Sequence, residues 1–488
     1  MLLGELASES EPIKAAWRKI DITGLTSDSR EVAQGFLFAA LSGSKTDGAR
    51  FIADACRRGA AAIIADAHAA LPRGLGVPII PSTNPRRALA LMAAKYYALQ
   101  PSTVAAVTGT NGKTSVAAFL RQIWQRAGYR SASLGTVGVV TPDRVTTLHH
   151  TTPEPVELHR LLKDLAHEGI THLAIEASSH GLAQHRVDGV RVTAAAFTNI
   201  TRDHLDYHSS FEDYLEQKKR LFSDVLDGTG VAVINADAEH AEEFVEAAKQ
   251  RGARIFTVGA RGTGLTLLNH GRDGLAQALD IRDSDGVVHR VKLPLVGDFQ
   301  ASNALVAAGL AIACGLEPAR ALAALEFLEG AKGRLEMVSE TLTGAPIFVD
   351  YAHTPDALLT VLKTLRPYAQ RRLVVVFGAG GDRDKGKRPQ MGQVTGKYAD
   401  IAIVTDDNPR NEDPATVRAE ILAAIPEAIE IGDRRTAIAA GVKMLRPGDI
   451  LLVAGKGHET GQIVGDMVIP FSDHEAVRSA VGETRRRA

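Results

Sequence analysis

The stretch VAAVTGTNGKTS, residues 104–115, constrains the fold more than any other. An apolar run (104–107) enters a glycine-rich turn (108–115), and an amphipathic stretch runs from Val116 to Ala127. Strand, turn and helix in that order open an α/β sheet. The turn supplies backbone N–H groups and the helix N-terminus a partial positive charge. Lys113 adds a mobile cation and Thr114 a hydroxyl suited to Mg²⁺. The strict phosphate-loop pattern sets four residues between its glycines. Here two residues separate Gly109 from Gly112, so the loop is a shortened relative. Its strand–turn–helix setting favours phosphate binding over a plain glycine turn.

The rest of the chain repeats that alternation. At about 150 residues per domain, 488 residues give roughly three domains. The first is read as 1–100, with strands AAAIIAD (60–66) and VPIIP (77–81) and a helix over 84–99 entered through Pro85. Its loops LTSDSREV (25–32) and LSGSKTDGARF (41–51) suit either turns or ligand contacts. The second, 101–333, carries the apolar strands 171–176, 192–200, 230–237 and 253–259, then hairpins over 264–296 and two closing helices. Continuous apolar strands between helices predict a parallel sheet covered on both faces. The third, 334–488, reads as a doubly wound sheet. The carboxyl ends of its strands carry DYAHTPD (350–356), GAGGDRDKGKRP (378–389), TDDNPRNEDP (405–414), GDRR (432–435) and GKGHE (455–459). Ligands gather at such ends. The fold class is therefore α/β: a central phosphate-loop ATPase with a mostly parallel sheet, and a Rossmann-like C-terminal domain.

Charge narrows the function classes. With 56 basic and 57 acidic residues the net charge is −1, which supports neither a nucleic-acid nor an anionic-membrane surface. No signal peptide or membrane span is visible, so a cytoplasmic protein is expected. Cys56 and Cys314 lie in alanine-rich contexts and read as buried small hydrophobes.

Glu176 ends a strand beside the phosphate loop, where a carboxylate is placed for Mg²⁺. Ser178, Ser179, His180, Gln184, His185 and Arg186 crowd the same region. The run NITRDHLDYH (199–208) adds His204; its spacing matches no common zinc pattern, so Mg²⁺ with ATP is the better reading. Over 211–225, Phe211, Tyr214, Leu215, Leu221, Phe222 and Val225 form an apolar stripe with Lys218 in its middle, while Lys219 and Arg220 read as solvated charges. Lys218 is either a snorkelling lysine or one that is paired or chemically altered. In VDYAHTPD, Asp350, His353 and Asp356 lie at a strand end where Thr354-Pro355 can cap a helix. Arg410 with Asp406, Asp407 and Asn408, and Glu459 nearby, suits a zwitterionic ligand.

Nine segments in order, TGTNGKTS, IEASSHGL, TRDHLDYH, VINAD, VDYAHTPD, FGAGGDRDKGKRP, DDNPR, GKGHE and FSDHE, resemble the Mur ligases over nearly the whole chain. The resemblance implies three domains: one binding UDP, a central ATPase and a Rossmann-like third. It implies an amide made through an acyl phosphate, with the third domain closing over the second to shield that phosphate from water. It assigns Ser27, Ser29, Ser44, Lys45 and Thr46 to the nucleotide sugar, and Thr151, Thr152, Ser178, Gln184 and Arg186 to the muramoyl-peptide end. Gly109, Thr110, Asn111, Gly112, Lys113, Thr114 and Ser115, with Asn303 and Arg334, would hold ATP. Thr114, Glu176, His204 and Lys218 would serve Mg²⁺, Lys218 as a carbamate; Lys113, Lys218, Glu176 and His204 carry the catalytic roles. Arg383, Asp407, Asn408, Pro409, Arg410, Gly455 and Glu459 would bind the incoming amino acid, and the DNPR form implies meso-diaminopimelate. Small-molecule substrates alone and a monomer are implied. Two positions depart from the family pattern: His150 stands where Asn is usual before the paired threonines, and Ala379 where Cys is usual. Two other classes compete. A folate polyglutamate ligase would share the central fold without needing the N-terminal loops or DNPR. A nucleotide-switched regulator would leave Lys218 and the C-terminal loops unexplained.

Overall fold

Parallel strands with apolar faces on both sides form the middle of the main sheets. The computed structural model describes residues 1–7, 13–43, 47–69, 74–201 and 207–487. Two units divide the chain: one of Met1–Leu267, Arg282–Val287 and Leu305–Ala321, the other of Leu268–Ile281, Val288–Ala304 and Leu322–Ala488.

The first unit holds two sheets. Four parallel strands, Gly24–Thr26, Phe36–Ala40, Ala62–Asp66 and Ile79–Ser82, lie in chain order. The helix Pro85–Tyr97 follows; Asn84 caps it by accepting from the Arg87 N–H, and Pro85 opens its first turn. The larger sheet centres on Thr103–Thr108, whose Val104–Val107 are at most 2% exposed. That strand pairs in parallel with Val192–Phe197 on one side and His172–Glu176 on the other. Outward from these run Leu226–Asn235 and Arg254–Gly259 at one side, and Ser131–Gly135 with the antiparallel Gly138–Val140 at the other. The helix Lys113–Arg126 buries Val116, Phe119, Leu120, Ile123 and Trp124, the spacing of one helical face, against Ser131–Gly135 and His172–Glu176.

The second unit carries a six-stranded sheet in the order Glu336–Glu340, Pro346–Asp350, Ile450–Ala454, Leu373–Phe377, Ile401–Val404, Ile429–Glu430. All its pairs are parallel except the first. The chain-order reversal falls around Pro346–Asp350, Ile450–Ala454 and Leu373–Phe377, where open α/β sheets leave a crevice at their carboxyl ends. The antiparallel edge strand and a separate hairpin, Gly461–Val464 with Met467–Pro470, were not expected from the sequence. Both cysteines are free and half-buried, not fully enclosed; burial pushes the Cys314 thiol up to about 12.

Candidate active site

The phosphate loop is built by close backbone approach. Gly109 has φ +150, and a Cβ there would lie 1.9 Å from Thr198 Oγ1. The Thr110 and Asn111 N–H groups donate to the Asn199 carbonyl (2.8 Å) and side-chain oxygen (3.0 Å). Gly112 precedes the helix at φ +88, and no side chain caps that helix. First-turn N–H groups without a cap form a ready anion site, with Ser115 buried in that turn. Lys113 Nζ donates to Gly109 O and Thr110 O, both at 2.8 Å.

Lys218 lies inside, as the stripe implied. It is 1% exposed; its Nζ donates to the same Gly109 oxygen at 2.7 Å and stands 4.4 Å from the centre of the Tyr214 ring. Its helix, Phe211–Arg220, widens into a π-turn at Leu221–Val225, a distortion frequent at functional sites. The expectation that Arg220 is a solvated charge is overturned. Arg220 donates to Leu182 O and faces Asp188 and His185 Nδ1. Asp188 also meets Arg87, and His185 meets Asn84 Nδ2 at 2.8 Å, so one polar cluster joins segments 84–87, 182–188 and 220. Burial opposes the charge on Asp188, but His185 and Arg220 hold its carboxyl below the ordinary range.

Glu176 is 2% exposed, not a solvated strand end. Its Oε2 accepts from Thr114 Oγ1 (2.9 Å) and Thr136 Oγ1 (3.1 Å), and Oε1 accepts from the Thr136 N–H (2.8 Å). A hydroxyl and a carboxylate side by side are hard oxygen donors and fit Mg²⁺. Lys218 as an ammonium cannot ligate a cation; its carbamate could. No group of three or more His, Cys, Asp or Glu side chains placed to hold a metal occurs among the described residues. His204, like Ser44, Lys45 and Thr46, lies outside them.

Thr136 escaped the sequence reading. It follows the strand Ser131–Gly135, which neighbours Glu176's strand, and only sheet order brings the two together. Beyond it, Thr136 Oγ1 meets Thr151 Oγ1 at 3.2 Å, and Thr152 Oγ1 donates to Glu176 O at 2.8 Å while facing Ser178 Oγ. Arg186, 7% exposed, donates to Thr152 O (2.7 Å) and Gln184 Oε1, and pairs with Glu154 at 2.6 Å. Thr151, Thr152, Ser178, Gln184 and Arg186 are thus one connected group. Ser27 is exposed, Ser29 is buried at the start of a short helical turn, and His150 is exposed.

In the second unit the strand-end loops interlock. Gly381 lies on the DNPR backbone: a Cβ there would sit 1.9 Å from Pro409 O. Arg410 Nη1 donates to Gly381 O (2.9 Å) and Asn408 O (3.3 Å), and Arg383 is exposed. Asp406 is taken by Arg418 and is not part of a ligand-facing pair, contrary to expectation. Asp407 is buried and its Oδ2 has no hydrogen-bond partner among the described residues. Asn408 Nδ2 donates to Glu459 Oε2 at 3.0 Å. Thr354 caps the helix Pro355–Leu365, and Asp350 accepts from the Leu335 and Ala352 N–H groups. Burial lifts the Asp350 carboxyl above its ordinary range against the opposing charge of Arg334. Arg334 stands 4.7 Å from the centre of the Tyr351 ring, and Asn303 donates to Gln300 at 3.2 Å. Ala379 is 2% exposed.

Known proteins extend the geometry. Family models described as "Mur ligase family, catalytic domain", "Mur ligase middle domain" and "Mur ligase, glutamate ligase domain" match residues 21–97, 107–311 and 333–457. The UDP-N-acetylmuramoyl-L-alanyl-D-glutamate–2,6-diaminopimelate ligase of Bradyrhizobium diazoefficiens is 56% identical over 485 residues, 99% of each chain. A solved structure of a ligase of that name matches with a TM-score of 0.74 at 33% identity, covering 99% of each chain. Folylpolyglutamate synthase of Mycobacterium tuberculosis, solved with ADP and AMPPCP, matches at TM-score 0.60 and 18% identity over 82% of this chain and 94% of that one, a likeness of fold alone. With a relative more than half identical from end to end, this chain belongs to the Mur ligase family.

Proposed function

We propose that the chain is an ATP-dependent ligase that joins meso-2,6-diaminopimelate to the D-glutamyl γ-carboxylate of UDP-N-acetylmuramoyl-L-alanyl-D-glutamate, in peptidoglycan precursor synthesis. The observation that carries it is the end-to-end 56% identity to a ligase of that name. The uncapped, lysine-lined loop at 109–115 supplies matching chemistry.

In this reading residues 1–100 take the UDP-sugar, 101–333 the ATP and 334–488 the amino acid. Ser27, Ser29, Ser44, Lys45 and Thr46 bind the nucleotide sugar. Thr151, Thr152, Ser178, Gln184 and Arg186 hold the peptide end. Gly109–Ser115, with Asn303 and Arg334, bind ATP. The γ-carboxylate attacks the γ-phosphorus and ADP leaves, giving an acyl phosphate. Lys113 and the helix N-terminus meet the charge that develops on the phosphoryl oxygens. The neutral amine of diaminopimelate then attacks the acyl carbon, phosphate leaves, and the amine proton is lost as the amide forms. Arg383, Asp407, Asn408, Pro409, Gly455 and Glu459 orient that amine, and Arg410 takes the second carboxylate. Mg²⁺ held by Thr114, Glu176, His204 and a carbamylated Lys218 would supply charge compensation to the phosphates when bound. The protein acts in the cytoplasm as a monomer on small molecules. No helix among the described residues is long and apolar enough to cross a membrane.

The test is incorporation of radiolabelled amino acid into the UDP-sugar dipeptide with ATP, diaminopimelate against lysine. ATP-dependent uptake of diaminopimelate with ADP release is expected. No uptake, or glutamate joined to a folate instead, overturns the reading.

A further inference from the structure

We infer that Lys456 is a positioning residue for the amino-acid site, acting through Asn408 and Glu459; this rests on the function proposed above. Lys456 is 0% exposed. Its ammonium donates to Asn408 Oδ1 at 2.8 Å and to Glu459 Oε2 at 3.2 Å. Asn408 Oδ1 also accepts from the Ile463 N–H at 2.9 Å. A carboxamide oxygen facing two donors cannot turn over without setting N–H against N–H. Asn408 Nδ2 is therefore directed at Glu459 Oε2, as observed. Glu459 Oε2 is occupied by both neighbours, whereas Oε1 takes no hydrogen bond among the described residues and remains for a ligand cation.

The Asn408 carboxamide that this ammonium holds joins three chain segments. Asn408 belongs to DNPR, Lys456 and Glu459 to GKGHE, and Ile463 to the hairpin. Gln462 Nε2 donates to Asp407 O (2.7 Å), the Arg410 N–H to Ile463 O (3.1 Å), and the Gly465 N–H to Arg410 O (2.7 Å). Burying a charge is costly, and a well-packed apolar side chain of similar length serves stability as well or better. What methionine cannot do is hold Asn408 and Glu459 in register, and that is the task assigned to Lys456.

Lys456→Met tests this in the full chain. The KM for diaminopimelate should rise about tenfold or more, as expected for losing a charged hydrogen bond. kcat and the KM for ATP should stay within about threefold. A merely structural role would lower the active fraction, and so kcat, without singling out one substrate. Lys456→Gln, which keeps one donor for Asn408, should fall between. In the Asn408→Ala background, Lys456→Met should add less than it does in the wild type, because one of its two partners is already gone. An unchanged KM in Lys456→Met, additive losses in the double variant, or loss of the folded state in both single variants would each overturn the proposal. Wild-type protein that takes up no diaminopimelate overturns the functional reading instead, so the two failures are distinct.

Discussion

The phosphate loop and the C-terminal sheet rim both concentrate positive charge, but they spend it differently. In the loop, Lys113 and Lys218 donate to the neutral Gly109 carbonyl. In the rim, Arg388 is gripped by Glu412 and Glu420, Arg418 by Asp406 and Glu430, and Arg434 by Asp473. Arg410, although in the rim, donates from its side chain to the carbonyl oxygens of Gly381 and Asn408. Lys113 and Arg410, two cations assigned to anionic ligands, thus donate to carbonyl oxygens, which an incoming phosphate or carboxylate outcompetes. Cations that hold the scaffold are bound to carboxylates, which it does not. Arg186 stands between the two, with a carbonyl, an amide and Glu154 as partners.

The division is broken most easily at Lys113. Lys113→Ala should lower ATP- and UDP-sugar-dependent phosphate release by about 10³-fold, with little change in thermal unfolding. Unchanged release would move the nucleotide elsewhere, the GAGGDRD loop being next in line. Lys218→Ala should likewise lose most turnover, on the order of 10²–10³-fold, and keep its fold. Partial rescue of the variant by a small carboxylic acid would sharpen the carbamate assignment; full activity of the alanine variant would end it.

The scaffold side predicts the reverse. Arg434 and Asp473 are both fully buried, so Asp473→Asn strands a guanidinium and should cost about 3–5 kcal/mol in urea unfolding. If the variant keeps its stability but loses turnover, the pair belongs with the ligand cations. Arg410→Ala should cut the preference for diaminopimelate over lysine on the order of 10²-fold and leave ATP binding intact. Competition kinetics with both amino acids decide it, and a retained preference means Arg410 does not read the second carboxylate.

The smallest effect is a pH dependence away from both sites. Burial drives His159 down to about 4, and its Nε2 lies 3.1 Å from Asp188 O. Unfolded, the ring takes up a proton below about 6.5; folded, it stays neutral down to about 4. Stability is therefore full above 6.5 and falls as pH drops toward 4. At pH 5.5 this group alone should cost about 1 kcal/mol relative to pH 7.5. His159→Gln should flatten that slope in chemical unfolding; an unaltered slope would place the titration elsewhere.

Much of this was legible because it is written in local pattern. The phosphate loop announced itself by strand, glycines and helix in sequence, and Lys218 by its place in an apolar stripe. The helical cap at Thr354-Pro355 needed only neighbouring residues. Arg220 was misread because helical spacing gives a side of the helix but not what packs there. The segment 182–188 covers that side, and it comes from earlier in the chain. Thr136 was invisible because its partner Glu176 is reached through sheet order. The hairpin at 461–470 gave no alternation to read: Met467, Val468 and Ile469 are exposed in succession. Asp406 and Asp407 looked equivalent as adjacent acids, and only the position of Arg418 separates them.

The bond from Lys218 to Gly109 joins residues 109 positions apart. A ribosome makes the loop first and the lysine later, at about 5–20 residues per second. For several seconds the nascent chain carries the phosphate-binding sequence without the lysine proposed to complete the site. Nucleotide capture by stalled chains ending before and after residue 218 would show whether the loop binds phosphate before Phe211–Arg220 docks on it.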